Sequence, residues 1–246
     1  MKQDMYEHMY QTDRQHWWFR AKREIVMALI ASRLSSSQEN KIIDFGCGCG
    51  MMLEVLSSYG EVTGADVSQT ALDYCKKRFS GELRLMDLSA PCTPWAAYDL
   101  GIALDLLEHV DRDATAAQNL LSFLRPGGLC IITVPAYQAL WSSHDVNCMH
   151  KRRYTLKNLR ALLVQAGFEI EYLSYYNSLL FPLAAPIRIF SKFLPFDQAS
   201  SMENTCPAPV LNAILYHIFS LEQKRICQGK TYPFGLSLIA LARRPG

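Results

Sequence analysis

Short apolar runs alternate with amphipathic stretches along most of the chain. The runs KIIDF (41–45) and EVTGADV (61–67) are followed by glycine or serine, a pattern typical of buried strands. Between them, apolar residues recur every three or four positions and predict helices, one at 51–60 that ends at Gly60 and one at 68–79 capped by Ser68. The same alternation predicts strands at 82–88, 99–107, 129–135, 168–176 and 235–243, and helices at 13–34, 113–124 and 155–167, the last capped by Thr155.

This alternation predicts one α/β domain whose sheet is mainly parallel, with helices on both faces. Prolines and apolar stretches break the rhythm between residues 178 and 230, before a final strand that has no other sheet to join. The predicted organisation is a single domain over 1–246, divided into an N-terminal helical flap (1–39), a core (40–177), an inserted cap (178–230) and a closing strand (231–246).

The composition is that of a globular protein with a substantial core, since half of the 246 residues are hydrophobic. The net charge of +2 argues against a nucleic-acid partner, which would favour a broad basic surface. The start MKQDMYEHMY lacks the apolar region of a secretory leader, and the eight cysteines show no C-x-x-C pair. We therefore expect a cytoplasmic protein with reduced thiols; the oligomeric state stays open.

The stretch DFGCGCG (44–50) places three glycines directly after the first predicted strand. Ligands of open α/β sheets bind at this position, and residues without a side chain let the backbone approach them. A dinucleotide fingerprint would need glycine at position 51, which is Met51, and the Lys-Ser/Thr pair of a phosphate loop is missing. Cys47 and Cys49 alone do not complete a four-ligand metal site.

Two carboxylates follow at the ends of the next strands. Asp66 lies 20 residues after Gly46, where a carboxylate can accept hydrogen bonds from both ribose hydroxyls. Asp87 can accept from an adenine amino group while Leu88 packs on the ring.

Together, DFGCGCG, GADVS, LMDL, DLLEHV and LRPGG resemble the class I S-adenosylmethionine-dependent methyltransferases over about residues 40–175. The resemblance implies a Rossmann-like sheet of seven strands with the last strand antiparallel, and S-adenosylmethionine as cofactor. HWWFR and HKRRYT are similar to a bacterial type 11 or type 12 subgroup, often linked to glycan or lipid tailoring. The predicted cofactor-binding residues are Arg20, Asp44, Gly46, Cys47, Gly48, Gly50, Asp66, Val67, Asp87, Leu88 and Asp105.

The loop HDVNCMHKRRYT (144–155) follows the fifth strand, at the edge where an acceptor should bind. Lys151, Arg152 and Arg153 form a cationic cluster that suits a phosphate or carboxylate on the acceptor. The alternative is a solvated loop before a helix. The predicted catalytic residues are His144, Asp145, His150, Arg153 and Tyr154.

The segment HWWFRAKRE (16–24) is open to two interpretations. Trp17, Trp18 and Phe19 cannot all face one side of a helix, so one of them is expected to cover the ligand, with Arg20 on the methionyl carboxylate. The alternative is an amphipathic helix that packs in the core.

Asp105, Glu108 and His109 are spaced i, i+3 and i+4, and on a helix they would share a face that suits a divalent ion. Related E-x-x-E-H patterns hold metal in small-RNA 3′-terminal and some quinone O-methyltransferases. Because LEHV also occurs in metal-free methyltransferases, the prediction is no metal. The alternatives are a metal-assisted RNA 2′-O-methyltransferase and a non-catalytic S-adenosylmethionine-binding or scaffold protein.

The apolar segment 178–196 is interrupted by Arg188, Lys192 and prolines, so it is not expected to span a bilayer. It is interpreted as a lid over the acceptor, with a peripheral contact at the inner membrane or a dimer contact as alternatives. The predicted function is methyl transfer to a small-molecule acceptor, with an anionic, glycan-linked or lipid-linked group as candidates.

Overall fold

The computed structural model describes residues 3–35, 37–191 and 206–246. The strands are β1 (Lys41–Phe45), β2 (Glu61–Asp66), β3 (Glu82–Leu85), β4 (Tyr98–Leu104), β5 (Leu124–Pro135), β6 (Glu169–Tyr176) and β7 (Ser237–Arg243). The helices are α1 (Gln3–Thr12), α2 (Trp17–Ala31), α3 (Leu53–Leu56), α4 (Gln69–Cys75), α5 (Asp113–Phe123), α6 (Ser143–Asn147), α7 (Leu156–Ala166), α8 (Phe181–Ser191), α9 (Pro209–Ser220) and α10 (Glu222–Cys227).

The seven strands form one sheet in the order β3-β2-β1-β4-β5-β7-β6. All neighbours up to β5 are parallel, and β7 runs antiparallel between β5 and β6. The predicted fold class, a Rossmann-like sheet with an antiparallel last strand, is confirmed. The strand order reverses between β1 and β4, which is where such sheets bind ligands.

Both faces of the sheet are covered by apolar side chains. The neighbouring residues Ile42 and Ile43 point to opposite faces, because side chains alternate along a strand, and they belong to separate core clusters. Ile42 packs with residues of α2 and α3, whereas Ile43 packs with residues of α5 and α7. The sheet is therefore buried on both faces at its centre, where the site is built.

The predicted start of helix 13–34 is wrong, because α2 begins at Trp17. His16 is the N-cap of α2 and its Nδ1 accepts a hydrogen bond from Trp18 N at 3.2 Å, so residues 13–16 form a turn. A further helix, α1, precedes the turn. The predicted caps Ser68 and Thr155 are confirmed, since each accepts a hydrogen bond from its helix.

The predicted cap region packs on the N-terminal segment. Trp18 stacks on Phe219 of α9, with ring centroids 5.1 Å apart, and on Tyr176 of β6. Glu222 is buried and accepts hydrogen bonds from the backbone of Ser178 and Leu179.

Residues 192–196 of the segment 178–196 lie outside the described residues. Across the described ranges, no helix is both long enough and apolar enough to cross a membrane.

Candidate functional site

The turn after β1 is built from main chain. Gly46, Gly48 and Gly50 have φ values of +69°, +53° and +81°, the left-handed region that favours glycine. A Cβ on Gly46 would lie 2.7 Å from Leu106 Cδ1, so a side chain there would require Leu106 to move. The backbone N–H groups of Gly46 and Cys47 donate to Ala65 O of β2, which ties the turn to the neighbouring strand.

Asp66 holds this turn from the end of β2. Its Oδ2 accepts from Gly48 N at 2.9 Å, and its Oδ1 accepts from Ser68 N at 2.8 Å. Burial raises the pKa of Asp66 and outweighs these hydrogen bonds, which lower it. The residue therefore connects the glycine turn to the N-terminus of α4.

A cavity of about 250 Å³ opens beside the turn. Asp66, Val67, Asp87 and Leu88, all predicted cofactor contacts, line it together with Gly46. The remaining lining residues are Phe45, Ala65, Met86, Ser89, Leu106, His109, Val110 and Asp111. The structure thus brings together the residues that sequence spacing assigns to a sugar and an aromatic base.

The chemistry of this cavity suits an adenosine group. Asp87 is exposed and its Oδ1 accepts from Ser89 N at 2.8 Å, an interaction that lowers the pKa of the carboxyl group. Leu88 is 6% exposed and gives an apolar surface beside that carboxylate. A charged acceptor next to an apolar wall can bind a polar ring edge and a ring face at once.

Lys22 is a buried cation beside the end of β4. Its Nζ lies 2.7 Å from Asp105 Oδ2, and Thr133 Oγ1 donates to Asp105 Oδ1 at 2.9 Å. Burial opposes ionisation of Asp105, but Lys22 keeps its pKa below the ordinary value. The predicted cofactor residue Arg20 lies with its guanidinium 4.1 Å from the ring centre of Tyr216. Lys22 is not among the residues predicted from the sequence, although it lies with Arg20 in the segment HWWFRAKRE (16–24).

Asp44 and the cysteines of the turn are buried. Burial, followed by Asp66, raises the pKa of Asp44 well above its ordinary value. Cys47 Sγ lies 3.8 Å from Cys75 Sγ, and Cys49 Sγ donates to Tyr6 O at 3.3 Å. Burial raises the pKa of Cys49 to about 12, so this thiol stays protonated at neutral pH.

Helix α1 lies against the glycine turn, which the sequence pattern did not predict. Tyr6 is 8% exposed and packs with Cys49 and Ala71, and a Cβ on Gly48 would lie 3.2 Å from Met9 Cε. The aromatic residues Trp17 and Trp18 instead contact Phe219.

The predicted catalytic loop is organised around a buried carboxylate. Arg153 Nε and Nη2 donate to the two oxygens of Asp145 at 2.8 and 2.9 Å, and His150 Nδ1 lies 2.8 Å from Asp145 Oδ1. Burial alone would raise the pKa of Asp145, but His150 and Arg153 lower it below the ordinary range. The ring of His144 lies 6.0 Å from that of His150.

Each cation of the predicted cluster has a carboxylate partner. Lys151 Nζ lies 3.2 Å from Asp111, and Arg152 Nη1 lies 2.8 Å from Asp113. Tyr154 Oη donates to Asp113 Oδ2 at 2.9 Å, and burial, then Asp113, raises the pKa of this phenol. With Arg153 on Asp145, the three positive charges are compensated within the protein.

The segment after β4 is a 3₁₀ turn over Leu107–His109, so Asp105, Glu108 and His109 do not share a helix face. Glu108 and His109 instead meet His150, with one ligand atom from each within 4.8 Å of the others. Glu108 is fully buried, and burial raises its pKa well above the ordinary value. Burial, then His150, lowers the pKa of His109 to about 4.

Comparison with known proteins places this arrangement in context. A family model described as "Methyltransferase domain" matches residues 10–173. A probable S-adenosylmethionine-dependent methyltransferase of Mycolicibacterium smegmatis is 26% identical over 64% of this chain and 61% of its own length. O-methyltransferase resE of Aspergillus sclerotiorum is 28% identical over 57% of this chain and 59% of its own. The chain thus matches about three-fifths of these relatives' length.

Solved structures share the fold across most of the molecule. The S-adenosylmethionine-dependent methyltransferase from Mesorhizobium loti superposes with a TM-score of 0.57 at 17% identity, over 89% of this chain and 96% of that one.

Proposed function

The chain belongs to the methyltransferase-domain family, as its sequence motifs predict, and from this premise we propose that it transfers a methyl group from S-adenosylmethionine to an acceptor hydroxyl. The observation that carries the proposal is the cavity at the strand-order reversal, where the glycine turn, Asp66 and Asp87 meet. This cofactor needs a backbone turn without side chains, a carboxylate for the sugar and a second carboxylate for the base.

Each part of the cofactor has a counterpart in the site. Asp66 accepts from the ribose hydroxyls, while Asp87 and Leu88 bind the amino edge and the face of adenine. Beside the positive sulfonium, the amino-acid end of the methionyl group carries an ammonium and a carboxylate, which match the neighbouring Asp105 and Lys22, 2.7 Å apart. Lys22 takes the role that the sequence suggested for Arg20.

The transfer is an in-line displacement. The acceptor oxygen forms a bond to the methyl carbon while the carbon–sulfur bond breaks and its electron pair stays on sulfur. The protein orients the two reactants and excludes water. The hydroxyl must lose its proton, and Glu108, His109 and His150 lie together beside the cavity that His109 lines, where they can assist that loss.

An apolar groove of about 390 Å³ supports an acceptor with an apolar portion. It is lined by Tyr137, Ala139, Leu140, Phe181, Pro182, Ala185, Pro186 and Ile189. The groove adjoins the acceptor loop, because Ala136 O and Gln138 Oε1, on either side of Tyr137, accept hydrogen bonds from Arg153. The compensated charges of Lys151, Arg152 and Arg153 do not favour an anionic acceptor, whereas the likeness to an O-methyltransferase supports a hydroxyl.

The exposed face of α8 supports a contact with a lipid surface, from which such an acceptor would be taken. Leu183, Ile187 and Phe190 are 64, 54 and 67% exposed and lie on one stripe of the helix, at i, i+4 and i+7. On this proposal the protein works in the cytoplasm against the inner membrane.

Calorimetric titration of the folded chain with S-adenosylmethionine and S-adenosylhomocysteine tests the cofactor assignment. Asp87→Ala should weaken both at least about tenfold, by loss of a charge-assisted hydrogen bond. Asp73→Ala is the matched control, because Asp73 is an exposed aspartate of α4 outside the cavity. Absence of binding to both compounds on folded protein would refute the proposal.

The acceptor is tested with phenols that do or do not carry an isoprenoid tail, by following the release of S-adenosylhomocysteine. Ala185→Trp should fill the groove and raise KM for the tailed phenol while leaving the tail-free one unchanged. Equal KM values for both phenols in the unaltered protein would contradict the role of the groove.

A further inference from the structure

We propose that Glu108, His109 and His150 form a binding site for a divalent transition-metal ion on the acceptor side of the cavity. The site is built from two segments. The turn after β4 supplies Glu108 and His109, and the loop after α6 supplies His150. Lys151 N donates to Glu108 O at 2.7 Å, which fastens the two segments together next to the three side chains.

The three potential ligand atoms are close to the separation that a metal ion requires. They lie within 4.8 Å of one another, and the rings of His109 and His150 have centroids 4.6 Å apart. Ligands about 2.1 Å from an ion lie roughly 3.0 to 3.5 Å from each other. A shift of side chains by about an ångström or less would close the set on an ion.

Glu108 gives an independent indication of a missing ligand. Its side chain is fully buried, and neither carboxylate oxygen has a hydrogen-bond partner among the described residues. Buried carboxylates are normally paired or coordinate metal, because an unpaired polar group loses its hydration without compensation. A divalent ion between Glu108 and the two imidazoles would supply the partner that the protein does not.

His150 is oriented as a metal ligand usually is. Its Nδ1 contacts Asp145 Oδ1 at 2.8 Å, which leaves Nε2 as the nitrogen available to an ion. Ligating histidines commonly donate their other N–H to a carboxylate, which fixes the tautomer and the ring. Arg153 in turn holds Asp145 through two hydrogen bonds, so this support is rigid.

The chemistry of the ligands selects the class of ion. One carboxylate oxygen and two imidazole nitrogens suit Zn²⁺, Fe²⁺, Co²⁺ or Mn²⁺ more than Mg²⁺, which prefers oxygen ligands and keeps several waters. Asp105 is not part of the set, because its carboxylate is held by Lys22 and Thr133.

The role of the ion rests on the proposed function. Three protein ligands leave coordination positions for an acceptor hydroxyl, whose pKa falls when its oxygen is bound to a cation. The hydroxyl releases its proton to bulk solvent as it binds the ion, before the two reactants exclude water from the site. The oxygen then attacks the methyl carbon, and the electron pair of the carbon–sulfur bond remains on S-adenosylhomocysteine.

The test is a Co²⁺ titration of the full chain after chelator treatment and dialysis, read from the visible absorption of the bound ion. We expect one Co²⁺ per chain, displaced by Zn²⁺ but not by millimolar Mg²⁺. Glu108→Gln, His109→Ala and His150→Ala should each weaken Co²⁺ at least about tenfold. His217→Ala is the matched control; it removes an exposed imidazole of α9 that is outside the set and should leave the affinity within about twofold.

Failure of this proposal is separable from failure of the proposed function. The same samples are titrated with S-adenosylhomocysteine, whose affinity should not depend on the ion, and their folding is checked by circular dichroism. No stoichiometric Co²⁺ binding by protein that binds S-adenosylhomocysteine would overturn the metal site alone. Equal Co²⁺ affinity in the unaltered protein and in whichever of the three variants fold would do so as well.

Discussion

At the scale of single residues, the sequence predicted an acceptor-binding segment at 144–155, but not the partners of its charges. His144, Asp145, His150 and Arg153 all lie between β5 and α7, as their position along the chain predicts, but His144 and Asp145 are on the short helix α6 rather than in a loop. The carboxylates that bind Lys151 and Arg152 come from the segment after β4, about 40 positions earlier. Spacing along the chain carries no information on such contacts, so a cluster of three cations suggested an anion site.

Arg153→Ala should destabilise the fold strongly. Arg153 and Asp145 are both almost completely buried, and removal of the guanidinium leaves a buried carboxylate without its main partner. We expect a loss of about 3 to 5 kcal/mol in the free energy of unfolding, measured by urea titration. Lys151→Ala, at an exposed ion pair, should change it by less than about 1 kcal/mol. Equal effects of the two substitutions would contradict the buried network.

Gly46→Ala should impair cofactor binding through both strain and contact. At φ +69° a side chain is strained, and the added Cβ would meet Leu106 Cδ1 at 2.7 Å. We expect S-adenosylhomocysteine affinity to fall about tenfold or more, equivalent to 1.4 kcal/mol or more. Gly127→Ala is matched in φ, at +77°, but has nothing within 4 Å of the added Cβ, so its calorimetric affinity should be unchanged. A similar loss in both would assign the effect to general destabilisation.

At the scale of elements, the sequence predicted every strand within a few residues, except that β5 begins at Leu124 rather than near 129. The N-terminal helix and the short helices were harder to predict from the sequence. The segment MKQDMYEHMY contains no leucine, isoleucine or valine, so it was not predicted as a helix, and α1 packs on α4 and the glycine turn. The spacing in DLLEHV suggests a helix with Asp105, Glu108 and His109 on one face, but Leu107–His109 forms a 3₁₀ turn. The metal hypothesis therefore changes from Asp105, Glu108 and His109 to a set that only the tertiary fold brings together.

Removal of residues 1–12 should weaken cofactor binding while the sheet remains folded. Helix α1 covers the glycine turn through Tyr6 and Met9, and the truncated chain would expose that turn to water. We expect about a tenfold loss of S-adenosylmethionine affinity by calorimetry. The exposed substitution Glu7→Ala in the full chain serves as control and should bind normally. Unchanged affinity after truncation would exclude a role for α1 at the site.

The network around Asp145 should make stability depend on pH in acid. The pKa of Asp145 is lowered in the folded protein, so it binds fewer protons than the unfolded chain between its folded value and the ordinary value of about 3.9. Its contribution to stability is full above about pH 5 and is lost as pH falls below that. Urea unfolding of Asp145→Asn should show a smaller decrease in stability between pH 6 and pH 3 than the unaltered protein. An equal decrease would place the acid sensitivity elsewhere.

At the scale of the whole molecule, the alternation of strands and helices predicted a mainly parallel α/β sheet, because each strand is encoded locally. The seven strands and the antiparallel last strand were implied by the resemblance to class I methyltransferases, and the structure confirms them. The position of the cavity followed, since the glycine turn, Asp66 and Asp87 all end neighbouring strands at one edge. The apolar groove could not be predicted from the sequence, because Tyr137 and Leu140 come from the loop after β5 while Phe181 and Ala185 come from α8. Surfaces shared by distant segments depend on packing that periodicity does not record.

The exposed stripe of α8 allows a test of how the molecule as a whole meets its acceptor. If the acceptor is taken from a membrane, the stripe should insert at the lipid surface, and Leu183→Asp combined with Phe190→Asp should abolish co-flotation with vesicles of phosphatidylcholine and phosphatidylglycerol. Val164→Asp, at an apolar residue of α7 that is 55% exposed, adds one charge on another face and should float normally. Absence of flotation in the unaltered protein would mean that the groove takes a free acceptor from solution. The stripe would then have to be explained by contact with another protein.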